Sequence, residues 1–265
     1  MKKLFIITGL LLVSYVIQAQ GDIYIGVRGG LNIPKLTASG DNPMSKGYSS
    51  RLAGNGGIFA EIQFSELFSL RPMVEFTQQG GKRDGIQAIP IAMLPANAQS
   101  VPAMVGEKFL YADFKSETTF NYIMIPILAN FGRNLSNIPA RVYFNAGPFV
   151  SFLLNAKQET NGSSHLYVDP AGDMTMDYLL GTLAGMPAQG EISMTDKRAI
   201  TNEVNKVNYG VSANIGISYE IAPKHNILFE VGGNFGFREL QISPENGENR
   251  IGAVTVVVGY ALKLR

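Results

Sequence analysis

Cysteine is absent from the 265 residues. That excludes a disulfide framework, thiolate chemistry and a lipoprotein anchor cysteine. Charge of one sign is also lacking: the net charge is +1, and Lys and Arg are not clustered. Neither a polyanionic partner nor nucleic acid is indicated. After the N-terminal segment no stretch approaches ~18 consecutive apolar residues, so helical membrane spans are not expected. Histidine is scarce, with only His165 and His225.

What the chain has is alternation. From Val207, every second residue is apolar: Val207, Tyr209, Val211, Ala213, Ile215, Ile217, Tyr219 and Ile221. The residues between them are polar or tiny. This is the period of an extended strand, not of a helix. Ala222-Pro223-Lys224-His225 interrupts the pattern, which resumes with Ile227, Phe229, Val231, Gly233, Phe235 and Phe237. Each run is about twice the mean globular strand of ~5–6 residues. A strand crossing a bilayer at a tilt needs ~9–11. Tyr209 and Tyr219 share a face, and their spacing projects to roughly 25 Å along a membrane normal at ~40° tilt. Tyr209, Tyr219, Phe237 and Tyr260 are therefore the candidate aromatic girdle, and the first two bracket the apolar band.

The same pattern recurs from Asp22 to Asn32, Gly57 to Phe64, Leu70 to Thr77, Glu117 to Arg133, Arg141 to Thr160 and Arg250 to Arg265. With the hairpin this makes about eight strands. Connections alternate in length, roughly 19, 33, 45 and 9 residues against roughly 2, 6 and 4, as expected for external loops and periplasmic turns. The expected fold is all-β: an eight-stranded antiparallel up-and-down transmembrane β-barrel in the outer membrane, with both termini in the periplasm. An open edge would leave backbone groups unpaired in hydrocarbon at several kcal/mol each. The first and last strands must therefore pair. Residues 1–19 read as a secretory signal, with Lys2-Lys3 before an apolar run and Ala19 before the cleavage point. Residues 20–265 would form the barrel, with external loops at about 34–52, 84–116, 161–205 and 241–249. The alternative fold is a soluble lipocalin-like ligand-binding barrel with the apolar face inward.

The polar faces carry Arg28, Glu61, Arg71, Glu75, Arg141, Glu220, Glu230, Arg238 and Lys263. Acidic and basic members nearly balance, which predicts a lumen filled by paired side chains. Pro72, Pro126 and Pro148 lie within strands, and a local gap or bulge is expected where Pro126 and Pro148 approach.

The stretches Ile25-Gly26-Val27-Arg28-Gly29-Gly30-Leu31-Asn32, Ser69-Leu70-Arg71-Pro72, Gln78-Gln79-Gly80-Gly81, Tyr122-Ile123-Met124-Ile125-Pro126 and Asn145-Ala146-Gly147-Pro148-Phe149 resemble the PorT-like outer-membrane β-barrel family of Bacteroidetes. The resemblance implies an eight-stranded outer-membrane barrel and implies little about activity. Some similar barrels serve a protein-secretion apparatus. Met73 and Met124 stand where that family often has glutamate.

No catalytic, cofactor or metal residues are assigned, and an enzyme is not expected. His165 follows Ser163-Ser164, but the two histidines fall at opposite ends of the barrel, and adjacent Ser and His do not make a useful pair. Asp169, Asp173 and Asp177 match no calcium-loop spacing. The loop from Asp84 to Ser116 is apolar at Ile86–Leu94 and Val101–Val105. It either marks a partner surface or folds over the barrel mouth onto the Met174–Met194 segment. The expected role is a non-enzymatic surface barrel, structural or binding. Besides outer-membrane lipid, its partner would be an envelope or surface protein or ligand met through the external loops. The alternative is an accessory subunit of a larger envelope assembly such as a secretion machine.

Overall fold

The computed structural model describes residues 21–93, 108–184 and 190–265. The signal-like segment 1–19 and the apolar stretch Val101–Val105 lie outside the described residues. Thirteen strands are described: β1 (Ile23–Ala38), β2 (Ala53–Gln63), β3 (Phe68–Arg83), β4 (Ile86–Pro90), β5 (Phe109–Asp113), β6 (Lys115–Asn134), β7 (Ala140–Asn161), β8 (Ser163–Ser164), β9 (Ile192–Ser193), β10 (Asp196–Ala199), β11 (Val207–Ala222), β12 (His225–Gly236) and β13 (Asn249–Lys263). Among the described residues one α-helix, α1, covers Met176–Ala184.

Eight of the strands close a ring in the order β1-β2-β3-β6-β7-β11-β12-β13, all antiparallel. Closure is made by β1 against β13, in register from Tyr24↔Lys263 to Ala38↔Asn249. No barrel edge is left to template another chain. The segments 39–52, 84–93, 108–114, 162–184, 190–206 and 237–248 lie at one end, and 64–67, 135–139 and 223–224 at the other. The tightest turn, Pro223-Lys224, places Lys224 at φ +72°.

Alternation sets which side chains leave the barrel. Ile25, Val27, Ile58, Val74, Phe144, Val211, Ile215, Phe229, Val231, Val254 and Val258 all point outward and are exposed, with Ile215 70% exposed. Arg28, Arg71, Glu75 and Glu230 are buried on the inner face. A lipocalin-like barrel, apolar inside, is overturned by this distribution. The inner faces of the ring strands carry most of the charge, and only an apolar medium suits the outer one.

Pro72, Pro126 and Pro148 each interrupt one ladder. Between β6 and β7 the pairs run to Pro126↔Phe149 and resume at Ala129↔Ala146. The gap falls at Pro148, as the sequence led us to expect. Similar gaps follow Pro72↔Ile127 in β3–β6 and Phe59↔Met73 in β2–β3. Proline lacks the donor that a continuous ladder needs on that side.

Strand β1 runs past Pro34 to Ala38, beyond the loop start placed at 34. The Pro34 carbonyl accepts from the Arg51 N–H at 3.1 Å. Its missing N–H therefore faces the β2 side, where the ladder ended at Asn32↔Ala53. The β13 side stays paired, through Pro34↔Ala253.

Candidate functional site

Six of the nine inner-face charges meet in the short-turn half of the lumen as an alternating chain, Glu75–Arg28–Glu230–Arg71–Glu61–Arg141. Arg28 Nη2 donates to Glu75 Oε1 at 2.8 Å and Nη1 to Glu230 Oε2 at 2.6 Å. Arg71 Nη1 donates to Glu230 Oε1. Arg71 Nε and Nη2 donate to Glu61 Oε2 at 2.9 and 2.6 Å. Arg141 Nη1 completes the row to Glu61 Oε1 at 3.2 Å. Three cations face three anions, which is what makes their burial tolerable. The side chains come from β1, β2, β3, β7 and β12, so the network ties together strands far apart in the chain.

Neutral groups finish the coordination. Glu61 Oε1 accepts from Ser69 Oγ at 2.6 Å and Asn130 Nδ2 at 3.1 Å. Glu230 Oε1 accepts from the Tyr143 hydroxyl at 2.9 Å and Asn145 Nδ2 at 3.2 Å. The Arg71 guanidinium lies 5.0 Å from the ring centres of both Phe59 and Tyr143. Glycines make the room. A Cβ on Gly216 would sit 2.7 Å from the Tyr143 hydroxyl, and one on Gly57 would sit 2.6 Å from Glu75 Cγ.

Glu220, Arg238 and Lys263 do not join this network. Lys263 Nζ reaches Asp22 at 2.6 Å at the short-turn rim. Glu220 is exposed there, beside the irregular pairing between Glu220 and Ala222. Arg238 lies past the end of β12 and donates to Asn205 Oδ1 at 2.7 Å and the Val207 carbonyl at 3.2 Å. Parity put all three on the inner side, but they stand where the strands end. Conversely, Tyr143 and Asn145 went unnoticed, although they share parity with Arg141 on the same strand.

Above the charges, toward the long-loop end, lies a polar layer with a void of about 10 Å³ bounded by Thr77, Gln79, Tyr122 and Asn234 among others. Next comes an apolar layer of Leu36, Phe120, Tyr122, Ala156, Ile200, Val204, Leu240 and Ile251. Cavities of about 690 Å³ and 440 Å³ open at the short-turn and long-loop ends respectively. The aromatic candidates fall on two outward levels. Tyr209 meets Phe237 edge-on at 6.4 Å near the long loops. Tyr219 and Tyr260 flank Ile227 in register near the short turns.

The long loops have a core of their own. Strands β4 and β5 pair from Ile86↔Asp113 to Pro90↔Phe109. Leu110 and Ala112 are fully enclosed against Leu166, Met176 and Leu180. The described parts of the 84–116 loop therefore pack, through Ile89, Leu110 and Ala112, against Met176, Leu180 and Met194. The carboxylates there do not converge. Asp169 accepts backbone N–H bonds from Ala171, Asp173 and Met174, and those bonds, Met174 first, hold it below the usual aspartate range. Asp177 Oδ2 lies 3.1 Å from His165 Nδ1 and accepts from the Gly190 N–H at 3.1 Å. Ser164 Oγ donates to the His165 backbone carbonyl at 2.7 Å.

Residues 18–241 match the family model described as outer membrane protein beta-barrel domain. No curated protein matches the chain. Solved structures similar to it include Neisserial surface protein A, 14% identical, covering 91% of this chain and 97% of that one at a TM-score of 0.41. A major outer membrane protein from Thermus thermophilus is 9% identical, covering 92% and 100% at 0.43. Ail, the attachment invasion locus protein of Yersinia pestis, in complex with the heparin analogue sucrose octasulfate, is 9% identical, covering 91% and 99% at 0.36.

Proposed function

The chain belongs to the outer membrane protein β-barrel domain family, and from that premise we propose a closed, non-enzymatic barrel of the outer membrane whose external loops bind a protein or surface ligand. The supporting observation is the contrast between its two ends and its middle. Among the described residues the lumen holds the charge network and an apolar layer, with a void of about 10 Å³ between them. About one water needs ~10–15 Å³, so this void has no room for a hydrated ion. The external loops, in contrast, fold around Leu110 and Leu180 and leave Tyr178 64%, Met174 40% and Ile86 39% exposed. Apolar groups held out on a folded platform suit a partner surface.

Catalysis at the rim has little to draw on. Ser164 addresses the His165 carbonyl and not its ring, and His165 faces Asp177. The finer placement among PorT-like barrels rests on the motifs quoted above, and with it the reading as a subunit of a secretion assembly.

The test has two arms. In planar bilayers the purified barrel should show no sustained conductance; a stable ion current would overturn closure. In detergent extracts, a bound protein should co-purify with wild type and be lost from Tyr178→Ser. Capture that is indifferent to Tyr178 would refute loop recognition. A stoichiometric envelope partner would favour the assembly-subunit reading.

A further inference from the structure

We infer that the cavity at the external end of the barrel binds an apolar monocarboxylate, with Arg83 as the receptor for its head group. This deepens the reading of the external loops as a binding surface by giving one pocket within them a ligand class.

The cavity measures about 440 Å³, within the range of ~300–1,000 Å³ usual for small-molecule sites. Its floor is the apolar layer that closes the lumen, including Leu36, Phe120 and Ile200. Its roof comes from the loop core, through Ile89, Phe114 and Met194. Two greasy walls from separate parts of the fold thus enclose one space.

Arg83 stands in the wall of that space and is only 6% exposed. Among the described residues no carboxylate lies within ion-pair distance of it. Its one hydrogen bond there runs from Nη1 to the Met44 carbonyl at 3.0 Å, and its buried Nε has no partner. The Tyr48 ring lies 4.4 Å from the guanidinium carbon and covers one face. A guanidinium carries five donors in a fixed fork that fits a carboxylate with two parallel bonds. The lumenal arginines Arg28 and Arg71 show what this side chain requires when enclosed here: each meets two carboxylates. Arg83 meets none among the described residues, which leaves its fork open to an anion entering the cavity.

The other charges in the wall select a single negative charge. Arg198 is already paired with Glu203 at 2.9 Å, and Asp196 adds a further carboxylate. A dianion such as a phosphate monoester would face Asp196 and Glu203 with only Arg83 free to answer it. A monocarboxylate with an apolar tail satisfies the arginine and covers the two walls.

Octanoate is the probe, with octan-1-ol as its uncharged counterpart. Protein in lipid nanodiscs, labelled with ¹³C at the methionine methyls, reports from Met44 and Met194 in the cavity wall and from Met73 and Met124 in the lumen. Octanoate should shift Met44 and Met194 saturably, leave Met73 and Met124 in place, and bind about tenfold or more tightly than octanol. Arg83→Gln should abolish that preference. Equal binding of acid and alcohol by wild type would mean simple partitioning and would overturn the proposal, even if Arg83→Gln fails to fold. The bilayer conductance and the Tyr178→Ser capture address the loop reading independently, so either can fail alone.

Discussion

Arg28 and Glu230 are 202 residues apart in the chain and meet at 2.6 Å inside the barrel, with side-chain exposures of 3% and 0%. Glu230 also answers Arg71, Tyr143 and Asn145, whereas Glu75 answers Arg28 alone and leaves its Oε2 unpartnered. The two carboxylates should differ in weight. Glu230→Gln takes one of two carboxylates from each of two enclosed arginines, leaving Arg28 with Glu75 and Arg71 with Glu61, and weakening such a buried arrangement costs up to ~3–5 kcal/mol. Glu75→Gln should cost roughly half as much, because it loosens Arg28 alone. Urea titration of the folded band on cold SDS gels measures both. Equal midpoints for the two variants would refute a network centred on Glu230.

The loop core should unfold separately from the barrel. Leu110 is fully buried among loop residues and not among lumenal ones. Leu110→Ala should forfeit ~2–5 kcal/mol locally. The consequence should be faster protease nicking within 84–114 and 162–206, with an unchanged unfolding temperature for the barrel. If the barrel transition moves with the loops, the two are one cooperative unit.

The ring was legible because two-residue alternation over 12 to 16 residues in β11 and β12 has no helical counterpart. The six meeting charges were legible for the same reason, since parity alone puts Arg28, Arg71, Glu75 and Glu230 inside. Depth along the strand is what parity does not encode. Glu220, Arg238 and Lys263 share the inner parity yet stand at the rims, where water and local partners take them. The ladder of β4 with β5 was missed because five residues each, packed by Leu166 and Leu180 from a distant loop, carry no period of their own. The loop start was placed at 34 because nothing local reveals that the donorless side of Pro34 faces a ladder already finished.

One loop element should respond to acid. The Asp169 carboxylate is held low by N–H bonds from Met174, Asp173 and Ala171. A depressed folded pKa stabilises the turn above the unfolded value of ~3.9. That contribution is lost as pH falls through the folded value. The amide resonances of Ala171, Asp173 and Met174 should hold steady above pH ~4 and move together below it. Asp169→Ala should abolish the shared titration; its persistence would assign the transition to another group.

Ile215 tests the outward face at its most exposed large residue. It is 70% exposed, in register with Phe144 on one side and Val231 on the other. Its chain neighbour Asn214 turns inward and donates to Asn145 Oδ1 at 2.8 Å. Ile215→Arg would place a guanidinium among acyl chains near mid-membrane, at ~2–4 kcal/mol. Ile215→Leu keeps the apolar contact and should be neutral. The arginine variant should fold into preformed lipid vesicles more slowly and with a lower yield of heat-modifiable protein than the leucine variant. In a barrel whose isoleucines met water, the order would invert, since arginine is the better solvated side chain. Equal insertion of the two would remove lipid from the outer face.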